Sequence, residues 1–346
     1  MGQPRGLERL TRREVLGRRW SEQMAWLLLA WGAAAVTPAG AQNAPPLAAV
    51  THESPFPIDQ ALEETTKGHG WVSVGYRNTY INNMLNSHQL GGIAQIGSVR
   101  VQSISLDLGY FFADHWSAHL GIPFIESRYS GSKPHCPTTD PPQCKGKAVP
   151  NHPESQFLDD GDYHGAWQDW DLGVAYHVNV NDYLLAPSIT AYVPSHRYTF
   201  FANAAVGQDL RKIEVAIDLA HQFELSNLYY RVNVGRVFVE KTTDQNIDYN
   251  KLDLELGYFL NEIWTLKVFG VGKRGNGYTG LYPDLTSDLW YHHDQRTKHN
   301  YANVGVGVDY HLNDKYILST AVQRLVWGQF VFDFKYSLDV RLTREF

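Results

Sequence analysis

The final stretch of the chain, DFKYSLDVRLTREF (333–346), alternates almost without a break. Phe334, Tyr336, Leu338, Val340, Leu342 and Phe346 fall on one side, and Lys335, Ser337, Asp339, Arg341, Thr343 and Glu345 on the other; only Arg344 departs. Successive side chains of a strand point to opposite faces, so this pattern predicts a strand with one hydrocarbon face and one ionic face. The same holds for DWDLGVAYHV (169–178), KIEVAIDLA (212–220), KLDLELGY (251–258) and NVGVGVDYHL (303–312), where a helical period fits worse. Segments 184–196 and 316–327 alternate poorly and are assigned as strands from their place in the series.

Between these segments a short motif recurs: an aromatic, two or three turn-forming polar residues, another aromatic. GYFFADHW (109–116), GYFLNEIW (257–264) and DYHLNDKY (309–316) are close copies, and AYHVNVNDY (175–183) and HQFELSNLYY (221–230) looser ones. Each falls where one alternating segment ends and the next begins, so each is expected to be a tight turn tipped by Asn, Asp or Glu. Five such turns centre near residues 113, 181, 225, 261 and 314. The remaining connections are longer and more polar: 82–97, 131–166, 199–208, 242–248, 275–300 and 328–332. Eleven connections join twelve strands.

Short turns on one side, long loops on the other, an even strand number and aromatic belts are the pattern of a bacterial outer-membrane barrel. The expected fold is therefore a twelve-stranded antiparallel transmembrane β-barrel spanning 67–346. Its oily face would meet lipid and its aromatics would form girdles at the interfaces. A soluble antiparallel sandwich is the alternative, and it would need two facing cores and no aromatic belt.

Composition agrees with a folded chain of this kind: 43% of 346 residues are hydrophobic and 13% aromatic, too apolar for disorder. Ahead of the first strand, Arg12, Arg13, Arg18 and Arg19 precede the apolar run MAWLLLAWGAAAV (24–36) and the small residues AGA (39–41). That order predicts a secretory signal peptide over 1–41, its apolar run being too short to span a bilayer. The leader's six Arg and three Glu carry +3, so its loss takes the formal charge from −6 to −9, which argues against a nucleic-acid partner. Residues 42–66 show no alternation and are expected to form a periplasmic linker or a short plug. Cys136 and Cys144, in HCPTTDPPQCKG, are the only cysteines, and in an exported chain a disulfide between them is the expectation.

On LDLGYFFADHWSAHLGIPF (106–124), on DWDLGVAYHV followed by LLAPSITAYVPS (184–195) with Pro187 and Pro194, and on the terminal Phe346, the chain resembles the outer-membrane transporter-like barrels associated with the meta-cleavage pathway of phenol degradation. The resemblance implies uptake of small, often hydrophobic or aromatic compounds and no catalytic residues. It also implies that Phe346 is the signal read by the barrel-assembly machinery. The 36-residue loop holding the cysteines has no counterpart in that pattern.

If lipid takes the oily face, the ionic face lines the lumen. The candidates are Asp169, Asp171, His177, Lys212, Glu214, Asp218, Lys251, Asp253, Glu255, Lys267, Asp309, Lys335, Asp339 and Arg341, with Asp107, His119 and His311 beside them. Both signs are present, as a narrow interior requires. The expected function is passive transport of small molecules, hydrophobic or aromatic ones among them; the alternatives are a structural or surface-interaction barrel and a lipid hydrolase. A hydrolase would need a His to activate a Ser two residues away, the spacing of His115 and Ser117. In WYHHDQRTKHN (290–300), His292, His293, Asp294 and His299 are potential zinc or copper ligands, but neighbouring histidines do not readily reach one ion, and an exposed, solvated loop is expected. LDDGDYHG (158–165) offers oxygen ligands without EF-hand spacing and reads as a plain acidic loop. No cofactor or metal is assigned, and the expected partners are outer-membrane lipids, the assembly machinery and a small solute.

Overall fold

The computed structural model describes residues 67–346 except 86–92, 137–142, 144, 150, 224–225, 277–287 and 298. The expected leader (1–41) and linker or plug (42–66) lie outside the described residues, as does Cys144. Sixteen strands follow in order: β1 Gly70–Leu85, β2 Ile93–Ala113, β3 Trp116–Ser130, β4 Ala148–Val149, β5 His152–Gln156, β6 His164–Trp167, β7 Asp169–Tyr176, β8 Val178–Val180, β9 Tyr183–Pro194, β10 Lys212–Gln222, β11 Leu228–Val239, β12 Tyr249–Phe259, β13 Trp264–Gly275, β14 Asn300–Asn313, β15 Tyr316–Gln329 and β16 Val331–Glu345. Strands β4 and β5 form a separate two-stranded ribbon. Strands β6, β7 and β8 follow one another as a single interrupted stave, β6 and β7 pairing with β3 and both β7 and β8 with β9. Counting that stave once leaves twelve antiparallel members, and the β1–β16 ladder closes them into a ring. No helix among the described residues is long and apolar enough to cross a membrane; the strands do the crossing.

The alternation decides which face is which. Leu254, Val306 and Leu338 are 39%, 54% and 42% exposed, whereas Asp309 on the opposite face is 7% exposed. Hydrocarbon outward and ionic groups inward is the reverse of a soluble sandwich, and it is stable only where lipid covers the outside. Exposed aromatics mark both rims. Tyr110, Trp116, Tyr183, Tyr258 and Trp264 ring the short-turn end, and Trp167, Trp170, Phe238 and Trp327 the long-loop end.

The tight turns near 113, 181, 261 and 314 form where expected, whereas the tip of the one near 225 falls on residues 224–225, outside the described residues. Asn261 Oδ1 accepts from the amides of Ile263 and Trp264, at 2.9 and 3.0 Å, and Asn313 Oδ1 from that of Lys315, at 2.9 Å. His115 and Asn181 adopt left-handed backbone at φ 67° and 55°. The final connection corrects the expectation of a longer loop at 328–332: Phe330 alone, at φ 53°, joins β15 to β16. The β15–β16 ladder runs only from Tyr316↔Arg344 to Gln323↔Ser337. Above it, residues 324–329 pair with β14 and residues 331–336 with β1.

One strand face also departs from the alternation. In the β1–β16 ladder Tyr80 opposes Tyr336 and Ile81 opposes Phe334, so Lys335 is an extra, bulged residue. A bulge flips the faces beyond it. Phe334, expected on the lipid side, is therefore buried with Phe332, Val331 and Ile81, and Lys335 bonds Asp333 at 2.5 Å from a half-exposed position.

Candidate functional site: the barrel interior and its loop cap

Cross-strand neighbours on the inner face carry opposite charges, and they pair. Lys212 Nζ meets Asp169 at 2.9 Å, Lys267 Nζ meets Asp309 at 2.9 Å, and Lys251 Nζ meets Glu214 at 2.7 Å and Asp253 at 3.8 Å. Arg231 is held by Asp218 and Arg77 by Asp339, while Arg341 lies 4.0 Å from Asp107 and His119 lies 3.4 Å from Asp171. Tyr192 and Tyr229 donate to Glu214 and Glu255 at 2.7 and 2.9 Å. The register accounts for part of the arrangement: Arg77 directly opposes Asp339, and Arg231–Asp218, Lys267–Asp309 and His119–Asp171 are diagonal on adjacent strands, whereas Lys212–Asp169, Lys251–Glu214 and Arg341–Asp107 each reach over an intervening strand. Deleting one partner of a buried pair leaves an uncompensated charge, which costs about 3–5 kcal/mol. Sequence reading missed Arg77 and Arg231, because the alternation of β1 and β11 is diluted by Asn and Tyr on both faces.

Within this wall lies a cavity of about 80 Å³, bounded by Arg77, Ser103, Ser105, Glu255, Lys267 and Asp339 together with Val101, Ile125 and Phe269. Sites for drug-sized ligands run from roughly 300 to 1,000 Å³, so this space admits only very small molecules as it stands.

The long loops fold inward over the upper end. Residues 199–208 carry Phe200, Phe201, Ala202, Asn203, Ala204 and Ala205, all buried, and Ala204 packs with the strand residues Ile81, Val101 and Tyr129. Phe200 and Phe201 join Val149, Phe157, Trp290 and Tyr291 in an aromatic cluster. The backbone of an inserted loop needs partners. Asp159 supplies them: its carboxylate accepts from the amides of His135, Asn203 and Ala204 at 2.8, 3.1 and 2.9 Å, and from Asn203 Nδ2 at 2.7 Å. Gln295 Nε2 donates to the Gln208 carbonyl at 2.6 Å, and Ser155 bonds Tyr291 at 2.5 Å. LDDGDYHG is thus a structural hub, and the expectation of a plain acidic loop is corrected at Asp159.

WYHHDQRTKHN is corrected in the same way. Its first two residues end the helical turn Asp288–Tyr291, His293–Arg296 forms a second, and His293, Asp294, Arg296 and His299 are buried. His135, from the cysteine-bearing loop, reaches both His293 and Asp294. Burial works against a charge on His135, but Asp294 and Asp159 outweigh it and push the ring up to about 10. Nearby, burial first and the Asp169 charge second push Asp209 up to about 6, and burial with Asp169 also raises Tyr198.

Ser117 does not use His115. Its Oγ lies 2.8 Å from Nε2 of His177, and Ser117 is 0% exposed, so a base is in reach but lipid is not. Phe346 sits at the ring closure, exchanging backbone hydrogen bonds with Gly70 at 2.8 and 2.9 Å.

Neither a protein-family model nor a curated protein matches the sequence. Among solved structures the chain is similar to an outer membrane channel from Pseudomonas putida F1, at 14% identity and a TM-score of 0.59 over 81% of this chain and 96% of that one. The beta domain of the Bordetella autotransporter BrkA (12% identity, 80% and 99% covered) and the KdgM porin (9%, 79% and 99%) score 0.45 and 0.42, a looser likeness in barrel shape. At these identities the likeness is one of fold. That fold and the hydrocarbon outer face together place the chain in the bacterial outer membrane.

Proposed function

We propose that this barrel is a passive outer-membrane channel for small molecules, hydrophobic and aromatic ones among them, and that its closed state is the one described above. The carrying observation is the cap. The outer end is shut by loops held through hydrogen bonds and ring stacking, whereas a barrel built only for structure has no use for a separable lid over an ion-paired interior. Beneath the cap, the wall combines charge pairs with Val101, Ile125 and Phe269, a mixed surface that suits an aromatic solute bearing one polar group. The resemblance to the phenol meta-pathway barrels supports the same solute class. In this reading a Cys136–Cys144 disulfide braces one of the long loops, Phe346 serves as the assembly signal, and the paired groups from Asp169 to Arg341 line the path.

The test is conductance in planar bilayers and uptake of a phenol-sized neutral solute into proteoliposomes. The comparison is between the full chain and a variant with residues 199–208 replaced by a short Gly-Ser linker. The variant should conduct and take up solute far more than the parent. A folded variant that stays silent in both assays overturns transport and leaves the structural barrel, the reading that the small cavity and the ion pairs of the wall otherwise favour.

A further inference from the structure

We infer that His135, His293 and Asp294 form a zinc-class metal site that clasps two of the cap loops together. His135 follows β3, whereas His293 and Asp294 lie 158 and more residues later, between β13 and β14.

The ring protons can be placed from the partners. His293 Nδ1 lies 2.5 Å from the carbonyl of Trp290, which can only accept, so Nδ1 carries the hydrogen and Nε2 the lone pair. His135 Nδ1 faces Asp159 Oδ2 at 3.2 Å, a carboxylate oxygen that also accepts backbone hydrogen bonds, so there too Nδ1 carries a hydrogen and Nε2 is the nitrogen left for a second proton or a metal ion. The two Nε2 atoms nevertheless stand 3.2 Å apart. The carboxylate of Asp294 closes the triangle, Oδ1 at 3.0 Å from one ring and Oδ2 at 3.5 Å from the other. Asp294 is 0% exposed, and no hydrogen-bond donor other than these rings approaches its oxygens among the described residues.

Three electron-rich groups converging in a dry pocket repel one another unless a cation lies between them. Metal–ligand bonds of about 2.0–2.1 Å at tetrahedral angles put neighbouring donor atoms about 3.4 Å apart. His293 Nε2 stands 3.2 Å from His135 Nε2 and 3.0 Å from Asp294 Oδ1, both near that value, and one ligand atom from each of the three residues lies within 4.8 Å of the others. The second shell is of the required kind as well, since ligating imidazoles hand their other N–H to a carboxylate or a carbonyl, the roles of Asp159 and Trp290. Two imidazoles and one carboxylate suit Zn²⁺ and its late first-row neighbours better than Ca²⁺ or Mg²⁺, which take oxygen shells. The pocket is closed by Phe201 and Trp290, whose rings pack on His135 and His293, so the site is structural. The competing occupant is a proton shared by the rings and Asp294.

The experiment uses the full chain, purified in detergent, stripped with a chelator and titrated with ZnCl₂ at neutral pH. One equivalent should bind and raise the thermal midpoint. His293→Ala and Asp294→Asn should each lose that equivalent or weaken it at least tenfold, while His196→Ala keeps it. Circular dichroism checks that the variants fold. Should they not, Co²⁺ substitution of the parent chain decides through its intense visible bands for tetrahedral coordination. No stoichiometric Zn²⁺ binding, binding that persists in both folded variants, or a Co²⁺ spectrum of hexahydrate type overturns the site in favour of the proton. None of these readouts depends on transport, so the site and the channel stand or fall separately.

Discussion

Trp71, Tyr229 and Phe269 each lie across a ladder from a glycine, opposite Gly109, Gly257 and Gly305, and each ring rests on the bare backbone its partner leaves. A methyl group on Gly257 would overlap the Tyr229 ring, so the glycine is required for space, its backbone being ordinary strand. Gly257→Ala should therefore lower stability by about 1–3 kcal/mol, the usual range for forcing a side chain out of a packed position. Urea unfolding in detergent micelles measures it. A midpoint unchanged from the parent would mean that the ring swings clear without loss. At this scale the sequence is informative about charge placement and silent about partners. Asp253 and Leu254 must face opposite ways because strand geometry says so, but that Arg231 is held by Asp218 depends on which strands meet.

Among the elements, legibility divides by what organises each one. The alternating strands and their Asn-tipped turns are governed by neighbours within a few residues, and the sequence shows them. The loops are governed by contacts across the whole chain. Residues 199–208 have no period because the segment is buried on several sides at once, and 290–300 reads as a polar surface loop because the residue that meets its His293 and Asp294, His135, is far away in sequence. Bulges are equally invisible: Lys335 looks like one more lumen position, and only the register with β1 shows that it is inserted. The stop in the β15–β16 ladder has a dynamic consequence. Amides in residues 324–329 that face β16 lack ladder partners, so they should exchange with solvent deuterium faster than those in residues 316–323. Mass spectrometry of peptides from the two halves decides this, and equal protection would count against it.

For the molecule as a whole, acidity bears on the cap. Asp209 is half-buried, its amide bonded to Tyr198 Oη at 3.0 Å, with Asp169 and Glu240 opposing its charge and Arg197 and His196 favouring it. Its proton is held more tightly in the folded chain than in the unfolded one, where carboxyls titrate near pH 4. That contribution to stability is present below the unfolded value and is lost as the pH rises through about 6. The thermal midpoint of the parent should consequently fall relative to that of Asp209→Asn between pH 4 and pH 7. Parallel curves for the two proteins would remove Asp209 from the account.

The ring closes between its first and last staves, with Gly70 bonded to Phe346 across the seam. The ring therefore cannot be sealed without both β1 and β16. Until residues 331–346 arrive, β1 and β15 are open templates, each ready to add a stray strand from another molecule. A chain halted before that point yields no smaller barrel, only a curved sticky sheet. Cells that make this protein must accordingly shield both margins for as long as synthesis and delivery take.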